Sequence, residues 1–115
     1  DVDPFEQLWE TTAVCEQSNG KHVAVLTDIN GRTASNQVPK FENQLPRISA
    51  DKTKNARGSE VLRQCDALGL CILNGTELET ASPGRATSWQ PGGESTIDLA
   101  IVSEGLIPLV KSFHV

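Results

Sequence analysis

Asp28, Asn30 and Asp98 are the side chains whose type and placement could do chemistry in this 115-residue chain. Asp28 and Asn30 follow the apolar run Val23 to Leu26 and are separated by one residue. An extended backbone would send both side chains to one face and turn Ile29 back into the core. A carboxylate beside a neutral amide at the end of a buried strand offers one anionic group and one donor that binds phosphate without adding repulsion. A plain Asx turn into Gly31 is the alternative reading of the same spacing. Asp98 interrupts the otherwise apolar run of "STIDLAIVS". A carboxylate there is costly to desolvate unless a cation, a metal or hydrogen-bond donors offset it. It either shares a site with Asp28 or is structural, capping a turn or pairing with Arg85 or Lys111.

The elements that must position these groups follow from periodicity and punctuation. Asp3 can cap a helix that runs to about Gln17, with Pro4 in its first turn and Phe5, Leu8, Trp9 and Thr12 at helical spacing; Trp9 falls on its core face and Asn19-Gly20 stops it. Val23 to Leu26 reads as a strand covered on both faces. Residues 31 to 54 are polar, carry Pro39 and Pro46, and read as a long surface loop. A second helix spans about Asn55 to Leu68 and ends at Gly69; Leu70 to Leu73 is a short strand turned by Asn74-Gly75. Ala86 to Trp89 and Ser95 to Ser103 read as a hairpin joined through Gln90-Pro91-Gly92-Gly93-Glu94. That hairpin would set Trp89 near the start of the Asp98 strand, where it could stack on a base or sugar; a core or lid position is the alternative. His22, at a turn, and His114, one residue from the end, read as surface residues.

A net charge of −5 and a pI of about 4.9 exclude a broad basic surface that holds nucleic acid by itself, so phosphate chemistry here needs a cation. The three cysteines, Cys15, Cys65 and Cys71, follow no metal-ligand spacing and read as buried reduced thiols. No apolar run is long enough to span a bilayer and the amino terminus lacks the basic start of a signal peptide; the segment reads as soluble and intracellular. With no methionine in the sequence, it reads as one domain or part of one, internal to a longer chain.

Four motifs taken together resemble a known family. "LTDIN" is similar to the G-D-F-N strand end of the endonuclease/exonuclease/phosphatase superfamily, and "STIDLAIVS" to its S-x-I-D strand. "NARGSEVLRQCDALGLCILNGT" resembles the N-x-R-G helix and L-x-I-L-N-G strand of its retrotransposon-type endonuclease domains, and "ATSW" the T-x-W strand. The resemblance implies an α/β fold, about one half of a four-layer sandwich of two packed sheets flanked by helices. It implies Mg²⁺- or Mn²⁺-dependent cleavage of phosphodiester bonds in DNA, with a nuclear location among the intracellular ones. On that resemblance Asp28 orients and activates water, Asn30 holds the scissile phosphate, and Asp98 orients a catalytic histidine. Trp89 and Ser95 are the matching substrate-binding positions, and no residue here is assigned to metal.

The chain departs from the pattern at several points. Thr27 and Ile29 replace a glycine and a phenylalanine. The closing S-D-H is absent, and Phe113 precedes His114 where an aspartate would stand, so His114 is not given the histidine's role. The family's amino-terminal asparagine and glutamate also have no counterpart. The isolated chain is therefore expected to be incomplete and inactive, and a half sandwich exposing one sheet face is expected to self-associate. Two other readings compete. One is a haloacid-dehalogenase-like opening at "VLTDINGRT", with Asp28 as nucleophile; the other is a non-catalytic copy or interaction module with structural aspartates.

Overall fold

In the computed structural model, which describes residues 3–18, 22–80, 83–91 and 93–113, the first helix, α1, runs from Pro4 to Ser18. Asp3 Oδ1 accepts from the Phe5 N–H at 3.0 Å, satisfying one orphan donor of the first turn. Trp9, Thr12 and Glu16 form its buried stripe. The expected stop at Asn19-Gly20 lies outside the described residues.

The second helix, α2, spans Ala56–Leu68 and has both ends sealed. Asn55 accepts from the Gly58 N–H at its start, and Gly69 closes it at φ 69°, in the left-handed region. Gly58 is required for a separate reason: a Cβ there would sit 1.9 Å from the Arg32 carbonyl oxygen. The N-x-R-G motif is thus, at its first and last positions, a helix cap and a close backbone approach.

The strands are β1 (Ala24–Asp28), β2 (Leu70–Ile72), β3 (Ser88–Gln90), β4 (Gly93–Ser95) and β5 (Asp98–Ser103). The first, fifth and second form a three-stranded antiparallel sheet with β5 in the centre, and β3 pairs with β4 as a separate two-stranded sheet. The result is a small mixed α/β domain. Both helices contribute to the core on one sheet face, where Trp9, Val61 and Cys65 meet Val25, Leu70, Ile72, Leu99 and Ile101. On the other face Leu73, Ala100 and Val102 are covered by Leu106, Ile107, Val110 and Phe113 from the carboxyl-terminal segment. No helix among the described residues is long and apolar enough to cross a membrane.

Two expectations about the strands need correction. β1 is not covered on both faces: it is an edge strand, and Leu26 is 79% exposed because the covering segment packs over β5 and β2 rather than β1. "STIDLAIVS" is not one strand: it breaks at Thr96-Ile97, where Thr87 Oγ1 accepts from both the Ile97 and Asp98 N–H groups, and so crosses from one sheet to the other. Gly92 of the hairpin turn lies outside the described residues.

Residues 31 to 54 are not a surface loop either. Val38, Phe41 and Leu45 are buried core. From Leu45 to Asp51 every second residue is buried, and the buried set after Leu45 is Arg47, Ser49 and Asp51 while Ile48 is 60% exposed. Arg47 is held by the Asn74 carbonyl at 2.6 Å and the Thr33 hydroxyl at 3.0 Å. Burial lowers its guanidinium to about 10.

Cys65 and Cys71 are buried as expected, and burial pushes their thiols up to about 12 and 11; Cys15 is half-buried instead. Gly58→Ala is expected to destabilise the domain by about 1–3 kcal/mol, the usual cost of overpacking against backbone that cannot yield. A urea melt comparing it with Ala56→Gly, an exposed change at the same helix start, checks this.

Candidate active site

Asp28 ends β1 and Asp98 begins β5, and they are direct cross-strand partners in the antiparallel pair. The Ile29–Ile97 backbone bond at 2.9 Å fixes the neighbouring pair as the hydrogen-bonded one. Asp28 and Asp98 therefore occupy a non-hydrogen-bonded position, where Cα atoms lie about 4.5 Å apart and side chains approach most closely. The ion pairs formed among the described residues, Arg32–Asp51, Lys40–Glu104 and Arg63–Glu60, include neither carboxylate. The two line a cleft of about 340 Å³ with Leu26, Thr27, Asn74, Leu99, Ala100 and Phe113.

Asn30 departs from the expected geometry. β1 stops at Asp28, the Asn30 N–H donates to Asp28 Oδ1 at 3.1 Å, and Asn30 adopts φ 52°. The Asx turn is formed, and Asn lends itself to it because its short polar side chain tolerates left-handed backbone. Ile29 turns inward as expected and is buried. Asn30 lines an adjoining cleft of about 420 Å³ with Asp28, Phe5 and Arg57. The Arg57 guanidinium stacks on the Phe5 ring, 4.2 Å from its centroid. Asp28 thus stands between the two clefts.

Trp89 and Ser95 line neither cleft. Trp89 is on β3 opposite Glu94 and is 59% exposed; Ser95 is half-buried on β4 opposite Ser88. His22 is exposed at the opposite end of β1 from Asp28, and His114 lies outside the described residues. Among the described residues no group of three or more His, Cys, Asp or Glu side chains is arranged to hold a metal ion.

The sequence reading missed the residues that hold Asp98. Its N–H donates to Thr87 Oγ1 at 3.1 Å, and its carbonyl accepts from Asn74 Nδ2 at 3.0 Å. Asn74 Oδ1 also accepts from the Ala100 N–H at 2.8 Å, continuing the ladder beyond β2. All of these bonds engage backbone, and among the described residues none engages the Asp98 carboxylate. Thr87 and Asn74 were visible in the quoted "ATSW" and "LNG" segments, but nothing in their spacing says that both reach one strand.

Asp51, buried to 3% exposure, anchors the approach to β5. It receives Arg32 through two bonds of 2.9 and 2.7 Å, and also the N–H groups of Thr53 and Thr96. Burial alone would raise this carboxyl; the Arg32 guanidinium and the two backbone donors override it and lower it to about 2. Comparison with protein-family models, curated proteins and solved structures finds no match for this chain.

Two predictions follow from this geometry. Because Asp51 is lowered in the folded state, its contribution is complete above the unfolded carboxyl value near 4 and is lost as pH falls from about 4 towards 2. Allowing for water around Arg32, the loss is on the order of 1–2 kcal/mol, and Asp51→Asn is expected to flatten that limb in urea melts across pH. Asp98→Asn is expected to do the reverse at pH 7, raising stability by up to about 1 kcal/mol, because it removes a like charge directly opposite Asp28. Thermal melts of Asp98→Asn and Asp28→Asn check the sign.

Proposed function

We propose that this chain carries part of a phosphodiester-cleaving site acting on DNA, of the endonuclease/exonuclease/phosphatase type found in retrotransposon endonucleases. The observation that carries the reading is the direct opposition of Asp28 and Asp98 at a cleft mouth, with no cation among the described residues paired to either. A fold keeps two like-charged side chains directly opposite each other at a cost in stability, and costs of that kind are retained where function needs them. The finer architecture belongs to the same proposal: a sheet with helices on one face is one half of a four-layer sandwich.

In this reading Asp28 receives a proton or orients a water through Oδ2, since Oδ1 already accepts from Asn30. The Asn30 amide and the Arg57 guanidinium, which line one cleft with Asp28, hold phosphate oxygens. Arg57 also supplies local positive charge in an acidic chain. Asp98, fixed through its backbone, orients a histidine that the described residues do not provide. Trp89 stacks on a base at some distance from the reacting phosphate, and Ser95 supports its hairpin. A divalent cation would need ligands beyond those described here, and no step is assigned to it. A DNA substrate fits an intracellular location, the nucleus included.

The Asx turn at Asp28 favours one other reading, a non-catalytic module in which the aspartates shape the strand end. The dehalogenase-like reading has less support, because the sheet is antiparallel and offers no row of strand carboxyl ends to a phosphate. Nicking of supercoiled plasmid with Mn²⁺ separates the first two, measured on this chain and on the same chain with its native flanking sequence. The flanked chain is expected to nick, and Asp28→Ala, Asn30→Ala and Asp98→Ala each to slow it by roughly 100-fold or more. Unchanged nicking in all three means the site lies elsewhere; no nicking at all favours the module.

A further inference from the structure

We propose that the free edge of β1 is a self-pairing surface: two copies of this chain join antiparallel through β1, with Leu26 on the two-fold axis. The proposal does not depend on the catalytic reading. It rests first on the difference between the two edges of the three-stranded sheet. At Ile72 the outer edge of β2 is closed by one side chain: Gln37 Oε1 accepts from the Ile72 N–H at 3.1 Å, and Gln37 Nε2 donates to the Ile72 carbonyl at 2.8 Å. This amide stands in for a neighbouring strand.

Among the described residues the edge of β1 has no such closure. The Val23–Ser103 and Ile29–Ile97 backbone bonds set the parity, so odd residues of β1 face β5. The N–H and C=O groups of Ala24, Leu26 and Asp28 point outward instead. The first four residues of the strand carry no charge, no proline interrupts it, and Leu26 is 79% exposed. Natural edges are commonly protected by a charge, a proline or a bulge, and none is present before Asp28.

A second copy fits this edge better than an arbitrary strand because the edge is complementary to itself. In the antiparallel register that sets Leu26 against Leu26, Ala24 of each copy meets Asp28 of the other. All three outward-facing residues then align with outward-facing residues of the second copy, as a hydrogen-bonded ladder requires. The exposed Leu26 side chains meet, and no carboxylate faces its own copy. Parallel pairing would instead bring Asp28 against Asp28, a like-charge contact that antiparallel pairing avoids. The two-fold axis stands perpendicular to the sheet, so the helices of both copies lie on one side and two three-stranded sheets become one of six. A contact of five residues per copy is small, and the association is expected to be weak and rapidly reversible.

Sedimentation equilibrium over a dilution series, read with amide exchange, tests this. The average mass is expected to rise from 12.4 kDa towards twice that value with concentration. Exchange at Ala24, Leu26 and Asp28 slows in step, while Val25 and Thr27, already bonded to β5, do not change. Leu26→Lys, at an exposed position, is expected to keep its circular dichroism spectrum and remain monomeric. Ala24 is also exposed, and it reads the register: Ala24→Lys, facing Asp28 of the other copy, tightens association by up to about 5-fold per pair, and Ala24→Glu weakens it to a similar degree. A mass fixed at 12.4 kDa at every concentration overturns the proposal. So does association that survives Leu26→Lys, protection centred on other exposed apolar residues such as Val14 or Leu109, or loosening by Ala24→Lys.

Discussion

The Asp51 carboxylate is the junction on which the arrangement of the site depends. It is almost fully buried, and its two oxygens take the Arg32 side chain and the N–H groups of Thr53 and Thr96. Arg32 lies just beyond the Asp28–Asn30 turn, and Thr96 lies two residues before Asp98. One ion therefore sets the exit of β1 and the entry of β5 relative to each other. Removing Arg32 would leave the buried Asp51 carboxylate with two backbone donors and no counter-ion, and that makes the pair a positional constraint even where its net stabilisation is modest. Asn55 reinforces the link by accepting from both the Arg32 and Gly58 N–H groups, which joins the start of α2 to the same point.

That constraint explains how two like charges can be held across one strand pair. Asp28 and Asp98 gain nothing from each other electrostatically, and no ion pair among the described residues relieves them. Their backbones are nonetheless fixed by neutral partners: Thr87 and Asn74 on Asp98, and the β1–β5 ladder on both. Position is secured through peptide groups, while Asp28 keeps one carboxylate oxygen and Asp98 both oxygens without a partner among the described residues. A purely structural aspartate would be expected to spend its oxygens on local donors, as Asp51 does. Asp28 spends one in that way, and Asp98 spends neither among the described residues.

The helices were legible because their signals are local: caps, a proline, a glycine stop and a stripe of apolar residues. So was the convergence of Asp28 and Asp98, which a shared need for compensation already suggested. The segment from Leu45 to Asp51 was illegible for a specific reason. It alternates with period two, as an extended segment should, but with inverted polarity, placing Arg47, Ser49 and Asp51 inside and Pro46, Ile48 and Ala50 outside. Hydrophobic patterning reports burial only where burial is apolar. Here the interior is satisfied by hydrogen bonds among distant residues, Arg47 to Asn74 and Asp51 to Thr96, and no window of sequence contains both partners. The break in "STIDLAIVS" was hidden likewise, since the hydroxyl that ends one strand and starts the next belongs to Thr87.

The same logic applies to the two sheet edges. Gln37 closes one from a position 35 residues away in the chain, using both functions of a single amide. Among the described residues nothing comparable reaches the outer edge of β1, although the chain solves similar problems elsewhere with Asn74, Asn55 and Thr87. Expected exposure of a whole sheet face proves too broad a description: β5 and the end of β2 are covered by the carboxyl-terminal segment, and what remains open is one strand, its edge and one leucine. Because Asp28 ends that strand, any partner that adds to the edge also borders the cleft between the two carboxylates. Pairing of two copies through β1 and access to the candidate site are therefore coupled by geometry.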